Sequence, residues 1–103
     1  MPESFLVARL TLKYGTIARF SEIMSAFVPA MEAQGWQLIG SYRSLIGDLT
    51  EVVNVWRVDD ANASIQGRLD ARKDPETAAV MAQLSEVVDG EVISLMEKTS
   101  FSR

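Results

Sequence analysis

Asn54 and Arg9 are polar residues set inside apolar, strand-forming runs: Asn54 in "EVVNVWRV", residues 51–58, and Arg9 in "SFLVARLTLKY", residues 4–14. An asparagine amide can orient a carbonyl or phenol by hydrogen bonds, or stabilise a developing oxyanion. The plainer role is an amide bonded to a neighbouring strand or to its symmetry mate. An arginine among apolar neighbours must be compensated, because an unpaired buried charge is expensive. Arg9 either faces a cavity and anchors an anionic or carbonyl group, or pairs with an acid across a dimer. Trp56 can wall a pocket for a flat aromatic ligand, and equally suits a core or interface. Tyr42 shares a row with Trp36 and Leu38 and reads as buried. Tyr14, at a strand end, closes a cavity mouth or caps the core.

Composition narrows the chemistry. The chain has 103 residues with no histidine and no cysteine. Thiolate nucleophiles, disulfides and thiolate or imidazole metal sites are thereby removed, as is the side chain most used for acid–base work near neutral pH. No metal site and no cofactor are expected. No motif supports a Ser–Lys nucleophile pair. The 10 basic and 14 acidic residues leave a net charge of −4, and only Arg72 and Lys73 are adjacent among the cations. Nucleic-acid binding wants a clustered positive footprint, so none is expected. Gly47-Asp48 and Asp89-Gly90 are turn signals, not phosphate-cradling loops. No apolar run approaches the ~20 residues of a membrane helix. "MPESFLVARLTLK" lacks the basic and apolar regions of a signal peptide. A cytoplasmic protein is the expectation.

Periodicity then supplies the elements. Residues 4–14 alternate, with Leu6, Ala8, Leu10 and Leu12 on one face. From 16 to 34, Ile17, Phe20, Met24, Phe27, Val28 and Met31 form the stripe of an amphipathic helix, with Thr16 as its cap, a bend at Pro29 and a close at Gly35. Strands are predicted at 36–46 and 51–58, joined by a loop at 47–50. Asp59 or Asp60 caps a helix to about Lys73 with Ile65 and Leu69 as its apolar stripe. Asp74 and Pro75 start another helix, which Asp89-Gly90 ends. A last strand covers 91–98. The order β-α-β-β-α-α-β predicts one domain over 1–103. Its class is α+β: a ferredoxin-like four-stranded antiparallel sheet with its helices on one face.

That layout leaves one sheet face bare, and the sequence does not make it polar. Phe5, Val7, Val52, Trp56 and Met96 are assigned to the open face, with Asn54 in the same row. Such a patch is too large to leave in water, and each side chain buried is worth about 1.5–3 kcal/mol. A second copy packed sheet to sheet is the expected partner, in keeping with the prevalence of two-fold dimers. Packing of that kind can enclose a cavity.

"TLKYGTIARF" (11–20), "GSYRSLIGDLTEVVNVWRVDD" (40–60) and "ARKDPE" (71–76) resemble the NIPSNAP family of the dimeric α/β-barrel superfamily. The specific part is Gly47, Asp48, Leu49, Val52, Val53 and Trp56. The resemblance implies a homodimer whose sheets face each other as a dimeric α/β barrel. The superfamily includes cofactor-free monooxygenases, haem-degrading enzymes and isomerases of the muconolactone kind. The family often has histidine at the position of Asn54, proline at Tyr14, and an aromatic at Thr77. The missing histidine removes the obvious acid–base or haem-ligating candidate. Two functions follow as expectations. One is a homodimer binding a hydrophobic, aromatic or carbonyl-bearing small molecule, with Asn54 and Arg9 polarising it and Trp56, Tyr42, Phe5, Val7, Met96 and Tyr14 lining its site. Cofactor-free oxygenation or isomerisation is the implied chemistry. The other is a non-catalytic dimeric module whose open face serves assembly alone.

Overall fold

The computed structural model describes residues 3–103. Its elements run β1 (Ser4–Leu12), α1 (Ile17–Glu32), β2 (Gln37–Arg43), β3 (Glu51–Val58), α2 (Ala61–Ala71), α3 (Pro75–Val87) and β4 (Val88–Met96). The four strands form one sheet in the order β2-β3-β1-β4, antiparallel throughout. The three helices cover one face, and the molecule is a slab 39 × 37 × 18 Å. No helix among the described residues is long and apolar enough to cross a membrane.

Local signals explain most element ends. The Asp60 carboxylate accepts from the N–H groups of Asn62 and Ala63 at 2.9 and 3.2 Å. Asp74 accepts from Thr77 N–H at 3.1 Å, with Pro75 behind it at the first helical position. Each satisfies donors that a helix start leaves open. Asp60→Ala should cost about 1 kcal/mol of stability, measured by urea titration. Thr16 behaves differently: its hydroxyl donates back to the Lys13 carbonyl at 2.6 Å and caps no α1 N–H. Pro29 sits in the last turn of α1 without ending it. Gly35, at φ 92°, supplies the left-handed residue that turns the chain toward β2. In the β2–β3 loop, the Thr50 hydroxyl and then its backbone N–H hold the Asp48 carboxyl below its usual value.

Leu6, Ala8, Leu10 and Leu12 face the helices and are buried, as their alternation predicts. On β3 the expected faces are reversed. The pairs Leu6↔Trp56, Ala8↔Asn54 and Leu10↔Val52 put Val52, Asn54 and Trp56 on the helix side. All three are 3% exposed. The open face instead carries Phe5, Val7, Val53 and Val55, with Val92 and Met96 from β4. Both rows of β3 are rich in apolar residues, so alternation alone does not choose between them. The distinguishing feature is at the ends. The open row begins with Glu51 and finishes with Arg57, whereas the buried row finishes with Val58.

Tyr42 is a second correction. The β2 register shifts between Leu38 and Gly40, leaving Ile39 as an extra residue. The shift moves Tyr42 off the face of Leu38 and pairs it with Val53 on the open side, 62% exposed. Its ring lies over Gly40, where a Cβ would come within 2.7 Å of Tyr42 Cζ. On α2, Ile65 and Leu69 point outward, and Ser64 and Ala71 are the buried residues. The small inward face lets α2 approach the end of α1, with Gly67 against Gln34. β4 starts at Val88, earlier than expected, and takes Asp89 and Gly90 into the strand.

Candidate functional site

The helix-facing layer holds two apolar clusters. One contains Leu10, Leu12, Phe20, Ile23, Val52 and Val87. The other contains Leu6, Met31, Trp36, Trp56 and Val58. Between them runs a cross-strand row of smaller side chains, Ser41 paired with Asn54 and Asn54 with Ala8, which ends at the larger Ile93 on β4. Opposite this row, α3 presents Ala78, Ala82 and Ser85 at helical spacing. Small residues on both layers keep the layers from closing. The result is a cavity of about 670 Å³ lined mainly by apolar groups.

Aromatic packing shapes its inner wall. Trp36 and Trp56 meet edge to face at 5.7 Å between centroids, and Phe27 meets Trp56 at 6.3 Å. Trp36 Nε1–H donates to the Ser64 carbonyl at 3.0 Å, tying α2 to this corner. Asn54 is the one uncharged amide on the wall. Its Oδ1 accepts from the Ser41 hydroxyl. Its Nδ2 donates to no protein group among the described residues, and no sealed polar atom there lacks a partner. The free end of the amide therefore keeps its access to the cavity.

Arg9 does not converge with Asn54. It lies on the opposite face of the sheet, where Nη1 is 3.5 Å from Glu51 Oε1. Phe5, Val7, Met96 and Tyr42 are on that open face too. Lys98 sits over the Phe5 ring at 5.8 Å. Tyr14 is 89% exposed in the β1–α1 turn. Of the predicted site residues, Asn54 and Trp56 alone share the cavity.

The cations of the cavity come from the last turn and the C-cap of α2. Arg68 and Arg72 line its mouth with Asp89 and Glu91 from the start of β4. Arg68 Nη2 is 3.3 Å from Glu91 Oε1. Sequence reading missed both arginines because Ile65 and Leu69 suggested a different inner face for α2. The usable signal was the small trio Ser64, Gly67 and Ala71, which marks where a helix can pack closely. Among the described residues, no cluster of histidine, cysteine, aspartate or glutamate is arranged to hold a metal.

A ferredoxin-like α+β domain, its helices on one sheet face and a cavity beneath them, is the class these features define. The sequence pattern of the NIPSNAP family matches residues 5–103, and the chain belongs to that family. A NIPSNAP family protein of unknown function from Agrobacterium tumefaciens superposes with a TM-score of 0.88 at 18% identity, over 98% of this chain and 92% of that one. An uncharacterised NIPSNAP domain protein from Burkholderia xenovorans gives 0.82 at 18% identity, over 97% and 98%. SnoaB from Streptomyces nogalater, a cofactor-independent oxygenase solved as an asparagine-to-alanine variant, gives 0.73 at 17% identity, over 99% and 100%. At these identities the likeness carries the fold alone. No curated protein matches the chain.

Proposed function

We propose that the chain is a homodimeric small-molecule-binding domain whose ligand, hydrophobic and aromatic or carbonyl-bearing, lies between sheet and helices. The observation that supports this most is the free end of the Asn54 amide on the wall of an otherwise apolar cavity. Ligand sites of this size commonly combine an apolar lining with a few placed polar groups. The chemistry proposed for the site is cofactor-free oxygenation or isomerisation; SnoaB, which shares the fold, is a cofactor-independent oxygenase. In the oxygenation, an electron-rich substrate would itself reduce dioxygen. The protein would exclude water, orient the substrate against Trp56, and direct the amide at a developing oxyanion. One such donor is worth roughly 2.7–4 kcal/mol in a transition state.

Native mass spectrometry of freshly purified protein tests the binding. Two copies retaining a small organic mass are expected. Asn54→Ala should stay folded, because Ser41 keeps its access to solvent, and should weaken retention about tenfold, the value of one well-placed hydrogen bond. Equal retention in the variant, or a bare chain in both, contradicts the proposal. The competing function, assembly without a ligand, rests on the apolar open face and predicts the bare result.

A further inference from the structure

We propose that the ligand is a monoanion: a flat apolar body carrying one carboxylate or similar oxyacid group, held by Arg72 at the cavity mouth. The inference rests on the binding function proposed above and adds the charge and orientation of the ligand.

Arg68, in the last turn of α2, and Arg72, its C-cap, stand one helical turn apart, and both line the cavity. They are not equivalent. Arg68 is committed to Glu91, and that pair is close to neutral. Arg72 has no ion-pair partner among the described residues, although its neighbour Lys73 pairs with Asp70 at 3.4 Å. As the C-cap of α2, Arg72 also complements the helix dipole. That accounts for a cation at the helix end, but not for one that lines the cavity.

The remaining charge at the mouth is Asp89. It is the extra residue where the β1–β4 register shifts, and it is exposed. Its carboxylate has a single methylene of reach. The Arg72 guanidinium has a three-carbon stem that can follow a ligand over the rim, and its planar donors match a carboxylate. Deeper in, Met24, Phe27, Trp36 and Trp56 offer no charge. An anion with an apolar body then has one favourable orientation: charged end outward at Arg72, body inward toward Asn54.

Two fluorescent probes test this on the full chain: anilinonaphthalene sulfonate, an aromatic anion, and phenylnaphthylamine, nearly the same body without the charge. Tryptophan-sensitised emission reports binding near Trp36 and Trp56. The anion should bind about tenfold tighter, in line with one charge-assisted contact. Arg72→Gln should erase that advantage and leave the neutral probe unchanged; Arg72→Lys should restore part of it. Ala82→Phe fills the cavity and should block both probes. If both probes bind and Ala82→Phe blocks them, but Arg72→Gln changes nothing or weakens both equally, the anion proposal falls and the cavity function stands. A cationic naphthylamine binding more tightly than the anion, with the preference lost in Asp89→Asn, also overturns it. If neither probe binds, or Ala82→Phe affects neither, the binding function fails and the proposal fails with it.

Discussion

Replacing Trp56 with alanine is expected to destabilise the protein by about 3–5 kcal/mol, the usual range for a large aromatic removed from a core. The side chain is 3% exposed and joins parts of the fold that are distant in sequence. It pairs across the sheet with Leu6 and Leu38, and stacks edge to face on Trp36 and Phe27. Its removal would enlarge a space the molecule already leaves open, so the neighbours have little to collapse against. For a domain of this size, 1 kcal/mol moves Tm by about 4–8 °C, so the variant should melt at least about ten degrees lower. Had Trp56 stood on the open face, as its strand pattern suggested, the same change would act mainly on assembly. Thermal unfolding with sedimentation separates the outcomes. Lower Tm with assembly intact agrees with the buried position, and unchanged Tm with lost assembly contradicts it.

Val55→Glu is expected to do the opposite. Val55 pairs with Val7 on the two central strands, on the face that no helix covers. Around this pair lie Phe5, Val53, Val92 and Met96, while Arg9–Glu51 and Arg57–Glu3 add ion pairs to the same face. An apolar centre with accompanying charge is the usual composition of an interface. Two-fold packing would bury one carboxylate from each copy, at several kcal/mol per ion. Since 1.4 kcal/mol is a tenfold change, the dissociation constant should rise by about three orders of magnitude or more. The side chain points away from the helices, so the separated chain should keep its helical signal. Sedimentation velocity of the variant should show single copies where the parent shows pairs. Unchanged assembly would mean that this face is not the contact.

How far the sequence could be read follows from what each residue must satisfy. The Leu6–Leu12 row, the α1 stripe and the Asp60 and Asp74 caps were legible because one local pattern admits one local structure. The face of β3 was not, since Val53 and Val55 compete with Val52 and Trp56 for the core, and Asn54 tilted the choice toward water. Only pairing Asn54 with Ala8 and Ser41 explains why a polar residue belongs inside: the row is small enough to leave room beside it. Tyr42 changed face because Ile39 is an extra residue, and a one-residue shift in a strand has no signature in composition. Arg68 and Arg72 were hidden because a helix with weak amphipathicity was oriented by Ile65 and Leu69, which face solvent.

Ala8 with Asn54 on the sheet, and Ala78 with Ala82 on α3, hold open an apolar space between the two core clusters, and every proposed ligand contact requires that space. Xenon enters such spaces in proteins and needs no knowledge of the natural ligand. Methyl NMR spectra under rising xenon pressure should show saturable shifts centred on Ala8, Met24, Met81 and Ala82, absent from Val7 and Val55, and lost in Ala82→Phe. Shifts that never saturate, or that persist unchanged in Ala82→Phe, would contradict the existence of that space.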